Sequence, residues 1–257
     1  MTFLAIRAQI AGHMLTAAGC VVVIAQLWSL PVAAQSPLQH SQRRQGLDAS
    51  KPLALPQDPP IVGRLLNGTA FFVDQSGSML TAGHAVDHCA RIVIAKEQHR
   101  MQARIVALSV KYDLALIKVS KTLGLAAVFP RDTVAAANEM VFANAYDALP
   151  RMRDAGVLAN SRVERDGSEP GHLIIDSPVT YGASGAPVLD KHGLVQGVIS
   201  RRTRLDRVLA VGLAETKAFL AANGVDFEQD DRPQVSPFTP SAERAASISA
   251  HVTCLTN

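Results

Sequence analysis

The sequence predicts an all-β fold, either a barrel or a sandwich. About a dozen short β-type runs follow one another between Ile61 and Leu213, separated by glycine, proline and polar turns. Almost no helical periodicity lies between them, which argues against alternating strands and helices. With 257 residues, 48% of them hydrophobic, the chain can bury one sizeable core or two small ones. One helix is predicted from Ala214 to Asn223, with Gly224 as its stop.

The first residues have the layout of a secretory signal peptide. Residues 1–34 contain one basic residue, Arg7, and no acid, and an apolar run from Met14 to Leu30 precedes Pro31 and Ala34. This pattern predicts cleavage after Ala34. The run is long for a signal peptide, so an uncleaved membrane anchor is the alternative. In both cases the remainder is exported, and we expect it to work in an oxidising compartment.

The remaining chain divides into three parts by composition. Residues 35–60 are rich in Gln, Ser and Pro without apolar periodicity, which predicts a disordered linker. Residues 61–227 form the predicted folded domain. Residues 228–257 are acidic at first and then rich in Ser, Pro and Ala, so we predict a flexible tail that is too short for a second domain.

Charge and cysteine content exclude several classes of protein. The net charge of +3, with its arginines spread along the chain, gives no reason to expect a nucleic-acid partner. Three cysteines cannot form a dense disulfide framework. The residues around His88 and His99 lack the spacing of a zinc site, so we expect no metal and no organic cofactor.

Three segments contain residues that fit nucleophilic catalysis. Gly182 to Pro187 flanks Ser184 with glycines, which allow a turn tight enough to aim backbone amides at an oxyanion. His84 ends an apolar strand where a side chain can project into a cleft. Asp113 enters an otherwise apolar strand, where a carboxylate needs a hydrogen-bonding partner such as a histidine ring. A serine hydroxyl needs such a base to become a nucleophile.

These segments resemble those of the chymotrypsin-like serine endopeptidases, most closely the bacterial trypsin-like and HtrA-type branch. The matching pieces are Thr81 to His84, Asp113 to Leu116 and Gly182 to Gly185, in the family's order of His, Asp and Ser. The resemblance implies two six-stranded antiparallel Greek-key barrels with a short C-terminal helix. It also implies a bacterial protein that acts on protein or peptide substrates. With the predicted export, we expect the protein to be periplasmic or secreted and to touch a membrane only through an uncleaved N-terminal segment. The HtrA-type branch normally adds a PDZ module, but the few residues after the predicted helix lead us to expect none here.

The resemblance also implies a role for each site residue. Ser184 attacks the scissile carbonyl, His84 acts as general base and acid, and Asp113 orients the histidine. The backbone amides of Gly182 and Ser184 hold the oxyanion. The rival interpretation is a degenerate protease that binds partners or acts as a scaffold, because Ala183 and Ala186 depart from the family pattern. An esterase with the same three side chains is disfavoured by the strand pattern.

The residues expected around the substrate side chain predict a small apolar preference. Pro178 stands where trypsin-type pockets have an acid, and Ile199 where glutamyl endopeptidases have a histidine. The other expected pocket residues are Val179, Thr180 and Ser200. Arg201 and Arg202 are interpreted as a solvated strand end, with attraction of more distant acidic groups as the alternative.

Two cysteines remain after removal of a signal peptide. A bridge between Cys89 and Cys254 would tie the tail beside the active site. Two free thiols are the alternative, and the sequence does not decide between them.

Overall fold

The computed structural model describes residues 65–164 and 170–256. The predicted signal peptide (1–34) and linker (35–60) lie outside these residues, as do residues 61–64 of the predicted domain. The strands are β1 Leu65–Phe72, β2 Ser78–Ala82, β3 Arg91–Lys96, β4 His99–Ser109, β5 Leu114–Lys118, β6 Val128–Phe129, β7 Met140–Val141, β8 Ser161–Val163, β9 His172–Asp176, β10 Pro187–Leu189, β11 Val195–Arg204, β12 Arg207–Gly212, β13 Glu228–Gln229 and β14 Ser249–Leu255. The helices are α1 Leu149–Asp154, α2 Leu213–Ala222 and α3 Ser241–Ile248.

The strands form two six-stranded antiparallel barrels. The first is closed, with the order β1-β14-β3-β4-β5-β2. The second has the order β10-β11-β12-β9-β8-β7, and reciprocal backbone hydrogen bonds of 2.8 Å between Phe142 and Leu189 join its two ends. The predicted all-β fold with two barrels is therefore confirmed. The predicted helix is α2, whose bounds differ by one residue at each end from those expected.

Alternation along the strands separates three apolar clusters. In β1, Phe72 points into the first barrel, whereas its neighbour Phe71 belongs to a cluster shared by both barrels and the helices. Successive side chains of a strand face opposite sides, so one strand serves both clusters. A third cluster, which includes Val188 and Val208, fills the second barrel. The shared cluster fixes the cleft between the barrels, where the functional residues lie.

The prediction of a flexible tail over residues 228–257 is wrong. This segment contains β13, α3 and β14, and β14 inserts between β1 and β3 with backbone pairing on both sides. Ala250, Val252 and Cys254 are fully buried, while the alternate residues face outward. The alternation of small apolar side chains was hidden by the polar composition of the segment, so the folded domain extends to residue 256.

A disulfide joins Cys89 to Cys254, with Cα atoms 5.4 Å apart. It links the loop that follows the His84 turn to β14 and closes a loop of 165 residues. The C-terminal strand of the first barrel is thus held both by hydrogen bonds and by a covalent bond.

Removing this disulfide should destabilise the fold without changing its topology. For the double substitution Cys89→Ala and Cys254→Ala we expect the free energy of unfolding to fall by about 2–5 kcal/mol, because the unfolded chain regains the entropy of a long loop. Denaturant unfolding, with the single variant Cys89→Ala and the reduced wild type as comparisons, measures the change. Equal unfolding midpoints for the oxidised and reduced wild type would contradict the expectation.

Residues 65–164 and 170–256 contain neither a membrane-spanning helix nor a metal-binding cluster. No helix in that part of the chain is long and apolar enough to cross a membrane. No three His, Cys, Asp or Glu side chains there are grouped in a way that could hold a metal ion.

Candidate active site

The pairing of β2 with β5 brings His84 next to Asp113. Ala82 at the end of β2 pairs with Leu114 at the start of β5. His84 lies in the 3-10 turn Gly83–Ala85 that follows β2, and Asp113 immediately precedes β5. The backbone amide of Gly83 donates to the carbonyl of Asp113 at 2.8 Å, which locks the two turns together.

Ser184 is placed by a tight turn of the second barrel that touches the first. The amide of Thr69 in β1 donates to the carbonyl of Ser184 at 2.9 Å. Gly185 has a φ of +85°, and a Cβ there would lie 2.1 Å from the carbonyl oxygen of Thr69. Because a larger residue would meet backbone atoms, only glycine lets this turn reach β1.

The three side chains form a continuous hydrogen-bonded chain across the cleft. The distance from His84 Nε2 to Ser184 Oγ is 3.0 Å, and from His84 Nδ1 to Asp113 Oδ2 it is 2.8 Å. The His84 amide also donates to Asp113 Oδ1 at 2.8 Å. Both Asp113 oxygens therefore hold His84, one through its ring and one through its backbone.

A β-bulge aims Ser200 at the same carboxylate. Strand β11 has one extra residue at Ser200, between the positions where Ile199 and Arg201 pair with β12. Such a bulge redirects a side chain. The buried Ser200 hydroxyl donates to Asp113 Oδ2 at 2.6 Å, so Ser200 contacts Asp113.

The hydrogen bonds of the site shift the pKa values of His84 and Asp113. The bond to Asp113 raises the pKa of His84, while burial and the positive charge of Arg201 act in the opposite direction. Burial by itself would raise the pKa of Asp113, but hydrogen bonds from His84 and Ser200 outweigh it and lower that pKa. The geometry therefore favours an ionised Asp113 that can stabilise a histidine cation.

Alternate amides of the turn around Ser184 form backbone hydrogen bonds. In the same turn, Ala183 donates its amide to Thr180 and Gly185 donates its amide to Ile199. Among the described residues, the amides of Gly182 and Ser184 have no backbone acceptor. These alternate amides are the ones expected to hold an oxyanion.

A small cavity of about 130 Å³ lies next to Ser184. Three of the expected pocket residues line it, namely Val179, Thr180 and Ile199. Pro178 and Ser200 do not line it. Arg202 is exposed at the end of β11, as predicted, and it also lines the cavity.

Two polar residues that support the site were missed in the sequence. The Thr69 hydroxyl donates to the Gly182 carbonyl at 2.8 Å and accepts from the Tyr146 amide at 3.0 Å. The buried side-chain oxygen of Asn144 accepts from the Thr180 hydroxyl at 2.9 Å. Both positions are polar residues in apolar surroundings, and this was their only signal in the sequence.

A serine, a histidine and an aspartate in this geometry, in a cleft between two six-stranded antiparallel barrels, define the chymotrypsin-like class of serine proteases. The chain belongs to the family with a trypsin-like peptidase domain, whose family model matches residues 68–198. This matched segment contains all three side chains.

Similar proteins come from bacteria and animals. The uncharacterized protein y4bJ of Sinorhizobium fredii (strain NBRC 101917 / NGR234) is 29% identical over 203 residues, 73% of this chain and 32% of that protein. Serine protease HTRA4 of Homo sapiens is 28% identical over 165 residues, 60% of this chain and 34% of that protein. The chain thus spans about a third of the length of these curated relatives.

Two solved structures share the fold. The protease Rv3671c in its inactive form has a TM-score of 0.50 and 20% identity, covering 62% of this chain and 85% of that one. The serine endoprotease from Yersinia pestis has a TM-score of 0.51 and 18% identity, covering 63% of each chain. Similarity at this level concerns the fold alone.

Proposed function

We propose that this chain is a serine endopeptidase that hydrolyses peptide bonds of proteins or peptides through an acyl-enzyme on Ser184. The observation that carries the proposal is the unbroken Ser184–His84–Asp113 chain of hydrogen bonds, with distances of 3.0 and 2.8 Å. Membership of the trypsin-like peptidase family supports protease function in general.

Each group has one chemical task in this mechanism. His84 Nε2 accepts the Ser184 proton as Oγ attacks the scissile carbonyl, and the same proton then passes to the leaving amine. Asp113 holds the Nδ1–H tautomer and stabilises the histidine cation. The amides of Gly182 and Ser184 bind the oxyanion, each contributing about 3 kcal/mol of transition-state stabilisation. Water then hydrolyses the acyl-enzyme with His84 again as base.

Mass-spectrometric mapping of new termini in a digested peptide mixture tests this function. The proposal expects internal cleavage by the wild-type protein. The rival, a degenerate scaffold, expects binding without new termini. Ala183 and Ala186, which gave the rival its basis, are both buried and take no part in the hydrogen bonds between the three catalytic side chains.

Asp113→Asn should lower kcat by about 10⁴-fold, because the amide group favours the wrong histidine tautomer. It should also shift the pH profile. A protonated His84 cannot accept a proton, so wild-type kcat/KM should rise with pH through a pKa that Asp113 holds above the usual value for histidine. Without that carboxylate, the pKa of His84 falls and the rise moves to lower pH.

Steady-state kinetics between pH 5 and 9 measure both effects. Asp87→Asn is the matched control, because the Asp87 carboxylate contacts the neighbouring His88 and not the histidine of the site. The control should keep the wild-type profile. An unchanged profile for Asp113→Asn would contradict the assignment of Asp113.

We also propose that the protein is exported and works in an oxidising compartment, the periplasm or the exterior. The disulfide between Cys89 and Cys254 supports this proposal, since such bonds persist in oxidising compartments. N-terminal sequencing of the protein from its native source tests it. The expected mature chain begins at Gln35, whereas a chain retaining Arg7 would indicate the uncleaved anchor.

A further inference from the structure

Arg202 reaches across the cavity beside Ser184. It lies in β11, after the bulge at Ser200, opposite Val208 of β12. Its Nη2 donates a hydrogen bond to the carbonyl of Val179 on the other wall. Its guanidinium also lies 5.4 Å from the ring centroid of the exposed Tyr181. Two contacts from the opposite wall therefore hold the guanidinium at the cavity.

The cavity combines apolar walls with this single charge. Among the residues that line it, Arg202 alone is charged, and the walls include Val179, Ala183, Ile199 and Val208, each at most 4% exposed. Within residues 65–164 and 170–256, Arg202 forms no ion pair with a carboxylate. Arg202 is itself exposed at the cavity, where its charge attracts an anion and repels a cation.

We propose that Arg202 makes this cavity the subsite for an acidic side chain, that of the residue whose carbonyl Ser184 attacks. The inference rests on the proposed protease function. A substrate carbonyl held by the amides of Gly182 and Ser184 brings its own side chain to the cavity that these two residues line. The acidic preference replaces the small apolar side chain expected from the sequence, which placed no charge in the pocket.

The donors of the site favour a carboxylate. The cavity of about 130 Å³ has room for a short side chain such as that of aspartate. A guanidinium has five N–H donors in a planar fork, so the bond to Val179 leaves donors for a carboxylate.

Peptides that differ only at the cleaved residue test the inference in the full chain. We expect kcat/KM for Asp to exceed that for the isosteric Asn by at least about tenfold, since hydrogen bonds between charged groups are about twice as strong as neutral ones. Glu should follow Asp, and Lys should be cleaved worst. In Arg202→Gln, the ratio of kcat/KM for the Asp peptide to kcat/KM for the Asn peptide should fall to about one. Arg202→Glu should cleave the Lys peptide better than the Asp peptide.

Arg204→Gln is the matched control, because Arg204 lies on the same strand but does not line the cavity. It should keep the wild-type ratio of Asp to Asn. A wild-type enzyme that cleaves after Ala or Val at least as well as after Asp would overturn the inference. The inference would also be overturned if Arg202→Gln left the ratio of kcat/KM for the Asp and Asn peptides unchanged.

A binding measurement separates this inference from the proposed protease function. Product peptides ending in Asp or Asn are titrated into Ser184→Ala, with fluorescence anisotropy as the readout. Tighter binding of the Asp peptide, lost in Ser184→Ala with Arg202→Gln, supports the subsite even if no peptide is hydrolysed by the wild type. Hydrolysis without any acidic preference leaves the protease function intact and refutes the subsite. Equal binding of both peptides also refutes the subsite.

Discussion

Ser184→Ala should lower kcat for peptide hydrolysis by about 10⁶-fold, the loss expected when the nucleophile of such a triad is removed. The half-buried Ser184 hydroxyl bonds to His84 in the cleft and supports neither barrel. The variant should therefore keep the wild-type circular dichroism spectrum and melting temperature. Progress curves with a fluorogenic peptide, at enzyme concentrations high enough to detect the residual rate, measure the loss.

The matched control is Ser120→Ala. Ser120 is an exposed serine beyond the end of β5, and its hydroxyl contacts Met101 rather than the site. This control should retain the wild-type rate. If Ser184→Ala retained the wild-type rate instead, Ser184 would not be the nucleophile.

Deleting residues 249–257 should abolish the folded state of the first barrel. Strand β14 pairs with β1 over seven positions and with β3 over five, so its loss leaves the facing edges of both strands unpaired. It also removes buried side chains and the Cys89 disulfide. Unpaired buried backbone groups are costly, and native stability is only about 5–15 kcal/mol. We expect a broad, non-cooperative thermal transition and no peptidase activity.

A buried lysine adds to the dependence on the C-terminal segment. Lys96 in β3 is 6% exposed and donates from Nζ to the carbonyls of Ala246 and Ser249, the latter at 2.7 Å. Burial lowers the pKa of Lys96 to about 8. When the deletion removes the Ser249 acceptor, this ammonium loses one of the two backbone carbonyls that compensate for its burial.

Two point variants test whether the fold needs the buried side chains of β14 rather than only a chain of full length. Val252→Asp places a carboxylate inside the barrel and should cost several kcal/mol of unfolding free energy, whereas Thr253→Asp places it on the outer face and should cost little. Thermal denaturation followed by circular dichroism compares them. A truncated protein with wild-type melting and activity would show that β14 is dispensable.

The sequence predicted the central site because each of its residues has a strong local context. His84 follows an apolar strand, whereas Asp113 and Ser184 precede one. The short motifs around these residues appear in the family's order. Helix α2 was predicted to within one residue because Gly224 marks its end, although the residues that it buries are Leu213, Thr216 and Leu220.

The features that sequence reasoning missed depend on contacts between distant residues. Strand β14 pairs with β1, and the side chains of His251 and Asn67, which hydrogen-bond between the two strands, are 184 residues apart in the sequence. Nothing local marks that pairing. Arg202 is exposed at the strand end, as predicted, but its place beside the cavity follows the bulge at Ser200, which no local pattern marks. Thr69 likewise acts on Gly182 from another barrel, which no local pattern reveals.

The reactivity of Ser184 toward a fluorophosphonate tests the central claim most directly, because only a serine activated by a neighbouring base forms the covalent adduct rapidly. The account predicts one label per folded chain, located on Ser184 by peptide mass spectrometry and lost in His84→Ala. A folded wild-type protein that remains unlabelled, or that carries the label on another residue, would contradict it.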